Sequence, residues 1–384
     1  SAASDVYKRQ VKDNIAPRAE GIILFPQPGK GVVNGKQIHR TFPVNPTQPI
    51  TAWGLIGAGI RAYDHMDGVG NRYGVHTVIL EVDGEEVFRS VVDRFAYEEN
   101  RYINSWTHGQ YMKSFIEPGN RLRMLHASNG NRGLVEINEE RPYRFVYTLS
   151  DALGNTSKVR FTVQGKNTEI HPVEHREKYA FKWDRTNYLQ EPGLELVVPR
   201  GMLYDDVWLD YSVRADSGDV AFTYQLHNKR VPLHGACEMR IGLRRDRLED
   251  KSKYYVAGVT ARGGKYSIGG TYEDGFMKVR IRDLGTYTVA VDTVPPEIIP
   301  LNPGQWGRTG RITLKAKDKE TGINSYRGTI DGKYALFGKP NSISGNLVCE
   351  LDPKHVKKGG RHTVEMTVTD GRGNRTTEEF HFVW

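Results

Sequence analysis

The chain has 384 residues and a formal net charge of +8. This length predicts two or three domains, and no apolar run is long enough to span a bilayer. Basic residues are interspersed with acidic ones, so the charge favours an anionic polymer or surface as partner and does not indicate a nucleic-acid-binding protein. Cys237 and Cys349 fall in different predicted domains and therefore predict no disulfide framework.

The first residues are not expected to fold with the rest of the chain. Ser1 to Gln10 resemble translated adapter sequence, and we interpret residues 1–12 as an artefactual or disordered leader. On this interpretation the chain is a fragment, and its natural N-terminal part, with any signal peptide, lies upstream.

Two distant stretches align as one repeated unit. Residues 145–163 match residues 364–382, and in both an Asp followed by a Gly-Asn pair separates two runs of alternating apolar residues. A period of two with these turn residues predicts a β-hairpin. The match extends upstream, where Asp13, Asp64 and Gly74-Val75 correspond to Asp292, Asp318 and Gly322-Ile323. The sequence therefore predicts two copies of one β-sandwich module.

The predicted fold class is all-β, with three tandem β-sandwich domains, because short strands recur between turn residues. In chain order these are an Ig-like sandwich at 13–165 with a long insertion at 94–123, a linker at 166–176, a second sandwich at 177–292 and an Ig-like copy at 293–384. The predicted strands of the second sandwich are 179–183, 194–198, 207–213, 221–226, 237–243, 254–259, 276–281 and 286–291, the last two joined by a turn at Gly285.

The insertion is the predicted binding site, because insertions between the strands of a sandwich lie on its rim, where recognition tends to occur. Trp106 is its best candidate for an exposed stacking platform. Aromatic rings stack on sugars, and basic groups suit an anionic polymer. The predicted contact residues are Tyr97, Arg101, Tyr102, Trp106, Tyr111 and Lys113. An alternative stays open, in which the same aromatic residues pack the first module against the missing catalytic domain or against the second module.

Three short patterns imitate known sites. Gly57-Ala-Gly59-Ile-Arg-Ala62 fits a dinucleotide fingerprint but has no room for the helix that must follow, so we interpret it as strand. His171-Pro-Val-Glu174-His175 fits an inverted zinc-protease pattern but lies in the polar linker. The loop Asp64-His-Met-Asp67-Gly68 offers oxygen ligands to calcium but lacks a calcium-loop spacing, and an ordinary polar loop is favoured.

Several longer motifs carry a family resemblance. They are Ala62-Tyr-Asp-His-Met-Asp-Gly68, Asn71-Arg-Tyr-Gly-Val75, Arg94-Phe-Ala-Tyr97, Asn100-Arg-Tyr-Ile-Asn104, Ile137-Asn-Glu-Glu140, Pro199-Arg-Gly-Met-Leu-Tyr-Asp-Asp206, Leu226-His and Val231-Pro-Leu-His234. Together they resemble the region that follows the catalytic domain in lysostaphin/LytM-type zinc metalloendopeptidases of Gram-negative bacteria. The resemblance extends from Asp13 to Trp384.

The resemblance implies a non-catalytic region that positions or targets a peptidoglycan hydrolase on the cell wall. Such enzymes hold zinc through a His-x-x-x-Asp pair and a His-x-His pair, and no histidine of this sequence stands in either pattern. We therefore expect no catalytic, cofactor-binding or metal-binding residue here, and zinc only in a catalytic domain upstream.

The implied partners are peptidoglycan or another anionic envelope polymer and, within the same protein, the catalytic domain. The implied location is the periplasm or cell envelope. The alternative from another class is a stand-alone surface adhesin or glycan-binding protein, since β-sandwiches host many functions. An enzyme that uses this chain's own residues is the third and least favoured hypothesis.

Overall fold

The computed structural model describes residues 13–215 and 220–384, and nearly all of its regular structure is β-strand. The all-β prediction is confirmed, whereas the predicted leader lies outside the described residues. In the described ranges no helix is long and apolar enough to cross a membrane.

The described residues form two compact units. Unit 1 holds residues up to Arg176 together with Lys182–Arg185 and Gly201–Val207. Unit 2 holds Glu177–Phe181, Thr186–Arg200 and Trp208–Trp384. Each unit is described separately below.

Unit 1 is built around β3, a 14-residue strand that runs from Ile50 to Tyr63. Its apolar residues continue through its three glycines without a break. The strands of this unit are β1 Arg18–Val33, β2 Arg40–Phe42, β3 Ile50–Tyr63, β4 Thr77–Val82, β5 Glu85–Val91, β6 Thr107–His108, β7 Tyr111–Lys113, β8 Leu125–Ala127, β9 Val135–Ile137, β10 Pro142–Ser150 and β11 Thr156–Gly165.

These strands form one continuous sheet in the order β2-β1-β3-β11-β10-β4-β5-β8. One edge of β3 pairs with β1, and the other pairs in turn with β11, β9 and β7. Alternating residues of β4 and β10 are buried, and Leu80, Phe145 and Tyr147 belong to the core between the two layers. The parallel pairing of β11 with β3 joins the layers into one sheet.

The insertion at 94–123 contributes two short strands to this sheet. It contains a 3₁₀ helix at Tyr97–Tyr102, a one-turn α-helix at Ile103–Trp106 and the short hairpin of β6 and β7. Because β7 pairs with β3, part of the insertion completes the sheet, so the prediction of a segment confined to the rim is corrected.

Unit 2 begins with a sandwich of two five-stranded sheets, in the orders β13-β14-β18-β22-β21 and β16-β17-β23-β19-β20. Side chains from both sheets are fully buried, among them Leu196, Ile241, Tyr224 and Val256. The strands are β12 Tyr179–Phe181, β13 Asn187–Glu191, β14 Leu194–Val198, β15 Val207–Leu209, β16 Ser212–Arg214, β17 Thr223–Gln225, β18 Val231–Gly242, β19 Tyr254–Val259, β20 Lys265–Gly269, β21 Thr271–Glu273, β22 Phe276–Leu284 and β23 Thr286–Val291. A 3₁₀ helix occupies Lys251–Lys253.

The C-terminal module of unit 2 packs two sheets, in the orders β24-β25-β28 and β27-β26-β29-β30, around a core that includes Trp306 and Met366. Its strands are β24 Glu297–Pro300, β25 Arg311–Lys317, β26 Ile323–Ile330, β27 Lys333–Ala335, β28 Asn346–Glu350, β29 Arg361–Asp370 and β30 Arg375–Val383. A 3₁₀ helix at Pro303–Gln305 and an α-helical turn at Trp306–Thr309 follow β24.

The predicted repeat is confirmed by strand pairing. In the C-terminal module β25 lies between β24 and β28, just as β3 pairs with β1 and β9. Likewise the order β27-β26-β29-β30 reproduces β5-β4-β10-β11. Both predicted hairpins form, and Gly154 and Gly373 adopt the positive φ that their turns require.

The same hydrogen-bond network closes both copies. The side-chain amide of Asn155 donates to the carbonyl of Asp13, and that of Asn374 donates to the carbonyl of Asp292, both at 3.0 Å. The two asparagines also donate to Asp151 and Asp370 respectively. Each hairpin is thereby tied to the start of its module.

The unit boundary differs from the predicted domain boundary at one segment. Residues Gly201–Val207 fall in the predicted second sandwich, but they belong to unit 1. The backbone N–H of Gly119 donates to the carbonyl of Tyr204 at 2.7 Å, and the Tyr204 hydroxyl donates to the carbonyl of Arg101 at 2.6 Å. The insertion therefore packs against this segment within unit 1.

Candidate functional site

A groove lies at one end of a sheet in the second sandwich. Strands β17 and β19 end there and β16 and β23 begin there, so Ser212, Gln225, Thr286 and Val259 form one row of paired residues. The groove has a volume of about 580 Å³. It is lined by Ser212, Arg214, Thr223, Gln225, His227, Asn228, Lys229, Arg230, Val259, Thr260, Ala261, Gly263, Tyr266, Gly285 and Thr286.

The groove is positively charged. Arg214, Lys229 and Arg230 line it, and none of the described lining residues is acidic. Arg230 forms an ion pair with Asp283, which offsets its charge. Arg214 and Lys229 form no ion pair with another described residue, and both are exposed. Two cations in a concave surface attract an anionic ligand.

His227 adds a neutral hydrogen-bond donor to this basic wall. Its Nδ1 accepts the backbone N–H of Asp210 at 3.1 Å, which leaves the proton on Nε2. Burial lowers the pKa of His227, so the imidazole is neutral near pH 7. The Gln225 amide is fixed by donating to the Asp210 carbonyl at 3.0 Å. These polar groups suit a ligand with hydroxyl groups.

An aromatic side chain completes the groove. Tyr266 on β20 pairs with Gly258 on β19, and its ring packs directly on that glycine, where a Cβ would lie 2.2 Å from the ring. The side chain keeps 39% of its surface exposed. A fixed and partly exposed ring is a platform on which the apolar face of a sugar can stack.

The six predicted contact residues of the insertion have different environments. Trp106 is 6% exposed, belongs to the core of unit 1, and donates its indole N–H to the Lys113 carbonyl at 3.0 Å. The prediction of an exposed platform at Trp106 is therefore wrong. Tyr97, by contrast, is 89% exposed.

The other four contact residues are partly buried within unit 1. Lys113 forms an ion pair with Glu117, and its ammonium group lies 5.6 Å from the centre of the Phe115 ring. Tyr102 packs on the core and on Tyr204. The remaining two, Arg101 and Tyr111, are half-buried, and the guanidinium of Arg61 lies over the Tyr111 ring.

The exposed surface of the insertion lies around Phe95 instead. Phe95 is 48% exposed and borders a shallow hollow of about 490 Å³ with Arg94, Arg123 and His126. Arg123 donates to Glu99 at 2.6 Å, and this hydrogen bond lowers the pKa of Glu99 to about 2. Since Glu99 is thus charged and neutralises Arg123, this hollow is less basic than the groove.

Two groups of three aspartates could hold a metal ion, one in each copy of the repeat. They are Asp13 with Asp64 and Asp151, and Asp292 with Asp318 and Asp370. Burial raises the pKa of Asp64, and the neighbouring carboxylates of Asp151 and Asp13 raise it further. These six residues are the aspartates at the matched positions of the repeat, yet the sequence alone did not show that they converge.

The short patterns that imitate other sites have structural roles. Gly57 lies within β3, and a Cβ there would lie 2.5 Å from the ring of Phe115, so the glycine makes room for the insertion. No helix follows it, which confirms the interpretation as strand. The segment from His171 to His175 has no helix and is exposed, which confirms a polar connection rather than a zinc-protease helix.

One protein-family model matches a part of the chain. The sequence profile of the Zu5-like domain matches residues 178–292, which covers the sandwich that carries the groove. None of the curated proteins matches the chain.

Three solved structures are similar to the chain at low identity and low TM-score. One is SGBP-B from the mixed-linkage glucan utilization locus of Bacteroides ovatus, solved with a heptasaccharide, at 11% identity over 97% of this chain and 71% of that one, with a TM-score of 0.15. Another is a Ca²⁺-stabilized, ice-binding adhesin of an Antarctic bacterium, at 11% identity over 93% and 99%, with a TM-score of 0.16. A third comprises cadherin domains 3–6 of protocadherin gamma B2, at 11% identity over 97% and 77%, with a TM-score of 0.19.

Proposed function

We propose that this chain is a binding region of an exported or surface protein and that its groove in the second sandwich binds an anionic glycan. One observation carries the proposal: Arg214 and Lys229 lie in a groove of about 580 Å³ without a described carboxylate partner. The groove thus offers positive charge that the described part of the protein leaves uncompensated.

The remaining groove residues favour a glycan over a simple anion. A sugar acid presents carboxylates to the basic side chains, hydroxyl groups to His227, Gln225 and Thr223, and an apolar ring face to Tyr266. A few placed polar groups beside an aromatic wall are typical of small-ligand sites. The openness of the groove to solvent suits one or two sugar units of a longer chain.

The double variant R214A/K229A tests this proposal. The probe is an acidic polysaccharide of uronic acid units, with a neutral glucan of similar length as reference. Each exposed charge contact contributes about 0.5–1 kcal/mol, so the double variant should bind about five- to thirty-fold more weakly. Binding of the parent should also weaken with added salt.

A matched control variant removes the same amount of positive charge at a place outside the groove. The variant K317A/K339A removes two exposed lysines from the C-terminal module and should bind like the parent. If both double variants bound the acidic polysaccharide equally weakly, net charge alone would explain the effect. That result would contradict a specific site in the groove. Equal binding of the acidic and the neutral polysaccharide would contradict an anionic ligand.

A second candidate function rests on the family resemblance of the sequence. In this proposal the chain lies in the periplasm or cell envelope and positions a zinc peptidase domain, encoded upstream, on peptidoglycan. The test is the coding sequence upstream of residue 13. A His-x-x-x-Asp and a His-x-His motif there would support a wall peptidase, whereas a further Ig-like repeat would support a surface adhesin.

A further inference from the structure

Three carboxylates converge at one end of the first module. Ligand oxygens of Asp13, Asp64 and Asp151 lie within 4.8 Å of one another. Asp64 and Asp151 are each only 6% exposed. Crowding three like charges in a poorly hydrated place is unfavourable unless hydrogen bonds or a cation compensate for them.

Hydrogen bonds compensate for two of these aspartates but only incompletely for the third. Asp151 accepts the backbone N–H groups of Leu153 and Asn155 on Oδ1 and the Asn155 amide on Oδ2. Asp13 accepts the N–H of Ile15 at 3.0 Å. The Oδ1 atom of Asp64 is buried and accepts no hydrogen bond from any described residue. A buried carboxylate oxygen without a donor, beside two further carboxylates, is suited to a cation.

In the other copy of the repeat, hydrogen bonds satisfy the carboxylate oxygens of the equivalent cluster. There the Oδ2 atom of Asp318 accepts three backbone N–H groups, from Glu320, Thr321 and Gly322, at 3.1, 2.7 and 2.7 Å. The Thr321 hydroxyl also donates to Asp292 at 2.5 Å. In that cluster no described carboxylate oxygen is both buried and unpartnered.

The difference between the copies arises from loop length. Gly322 follows Asp318 by four residues, so the loop turns its N–H groups back onto the carboxylate. Gly74 follows Asp64 by ten residues, and the backbone of Asp64 pairs instead with that of Tyr73, with both hydrogen bonds at 2.9 Å. The longer loop of the first module therefore removes the donors that neutralise the equivalent aspartate.

We propose that the first module binds one Ca²⁺ ion between Asp13, Asp64 and Asp151. All three ligands are carboxylate oxygens, which hard cations prefer, whereas zinc prefers nitrogen and sulfur. Calcium accepts ligands at about 2.3–2.6 Å, so oxygens on one ion lie at most about 5 Å apart, in agreement with the cluster. Water supplies the remaining ligands. Ca²⁺ is favoured over Mg²⁺, which demands a stricter octahedral arrangement.

The bound ion joins three parts of unit 1. Asp13 lies at the start of the described chain, Asp64 directly follows β3, and Asp151 begins the turn between β10 and β11. Calcium bound to the folded module and not to the unfolded chain stabilises the fold in proportion to its occupancy. The site lies in unit 1 and the groove in unit 2, so either proposal can fail without the other.

The test begins with protein stripped by EDTA and dialysed, to which CaCl₂ or MgCl₂ is added. Calorimetric titration should give one Ca²⁺ site. At a calcium concentration one hundred times the dissociation constant, the melting temperature of unit 1 should rise by about 5–10 °C. D64N should weaken Ca²⁺ binding at least tenfold, while the matched variant D318N should leave it unchanged.

Stability in EDTA separates loss of the site from loss of the fold. D64N removes a crowded charge, so in EDTA it should melt no lower than the parent. If D64N nevertheless misfolds, D13N at the half-exposed position replaces it and must weaken binding without lowering the EDTA melting temperature. A parent that takes up no Ca²⁺ at millimolar concentration, or equal weakening by D64N and D318N, would overturn the proposal.

Discussion

At the scale of single residues, Trp106 and Tyr97 belong to the same insertion and have opposite environments. Trp106 is 6% exposed and Tyr97 is 89% exposed. We expect Trp106→Ala to lower the free energy of unfolding by about 3–5 kcal/mol, because it leaves a cavity and an unpaired Lys113 carbonyl. Thermal melting should shift down by roughly 10 °C. Tyr97→Ala is the control and should change stability by less than about 0.5 kcal/mol. A Trp106→Ala protein that melts like the parent would refute the assigned environment.

The sequence could not separate these two aromatic residues because their burial depends on distant partners. The insertion is polar on average, which favours exposure. Trp106 is buried because its segment leads into β7, and β7 pairs with β3 some fifty residues earlier in the chain. No local sequence pattern predicts the pairing of β7 with β3. The repeated turns, each with an Asp three residues before a Gly-Asn pair, were predictable, since their backbone conformation is set by the turn residues themselves.

At the scale of elements, β3 is the central strand of the first module, and its Gly57 lies against Phe115 of the insertion. Gly57→Ala places a methyl group 2.5 Å from the Phe115 ring. We expect a loss of about 1–3 kcal/mol from overpacking, measured by urea unfolding. Gly74→Ala provides the control, since no atom lies within 4 Å of its added Cβ and its φ is not positive. Similar unfolding curves for the two variants would show that the contact between β3 and the insertion is absent.

Most elements of the second sandwich were predictable, and their arrangement was not. Strands β14, β19 and β23 have the predicted bounds, because apolar alternation marks them. The runs on either side of Gly285 look like a hairpin, but β22 and β23 lie in different sheets. The groove was not predicted because it, too, depends on how the strands are arranged in sheets. It is assembled from the ends of four strands, and the family-like Leu226-His227 pair was the one local sign of it.

At the scale of the whole molecule, the chain contains two copies of one module, and the three aspartates of each copy have different hydrogen-bond partners. The sandwich with the basic groove lies between the two copies in the sequence. The copies retain their strand order and their asparagine links. They differ in the insertion and in the loop after Asp64, on which the calcium proposal rests. A conserved framework with variable loops is the usual way in which β-sandwiches acquire separate functions.

The central claim, that the groove is the glycan site, is tested most directly by hydrogen–deuterium exchange with and without a saturating acidic oligosaccharide. Peptides that contain His227 to Arg230 and Val259 to Tyr266 should exchange more slowly when the oligosaccharide is bound, because their amides border the groove. Peptides of the insertion around Phe95 and Tyr97 should exchange at the same rate in both samples. Slower exchange in the insertion, with no change at the groove, would contradict the claim that the groove binds the glycan. It would place the binding site in the first module.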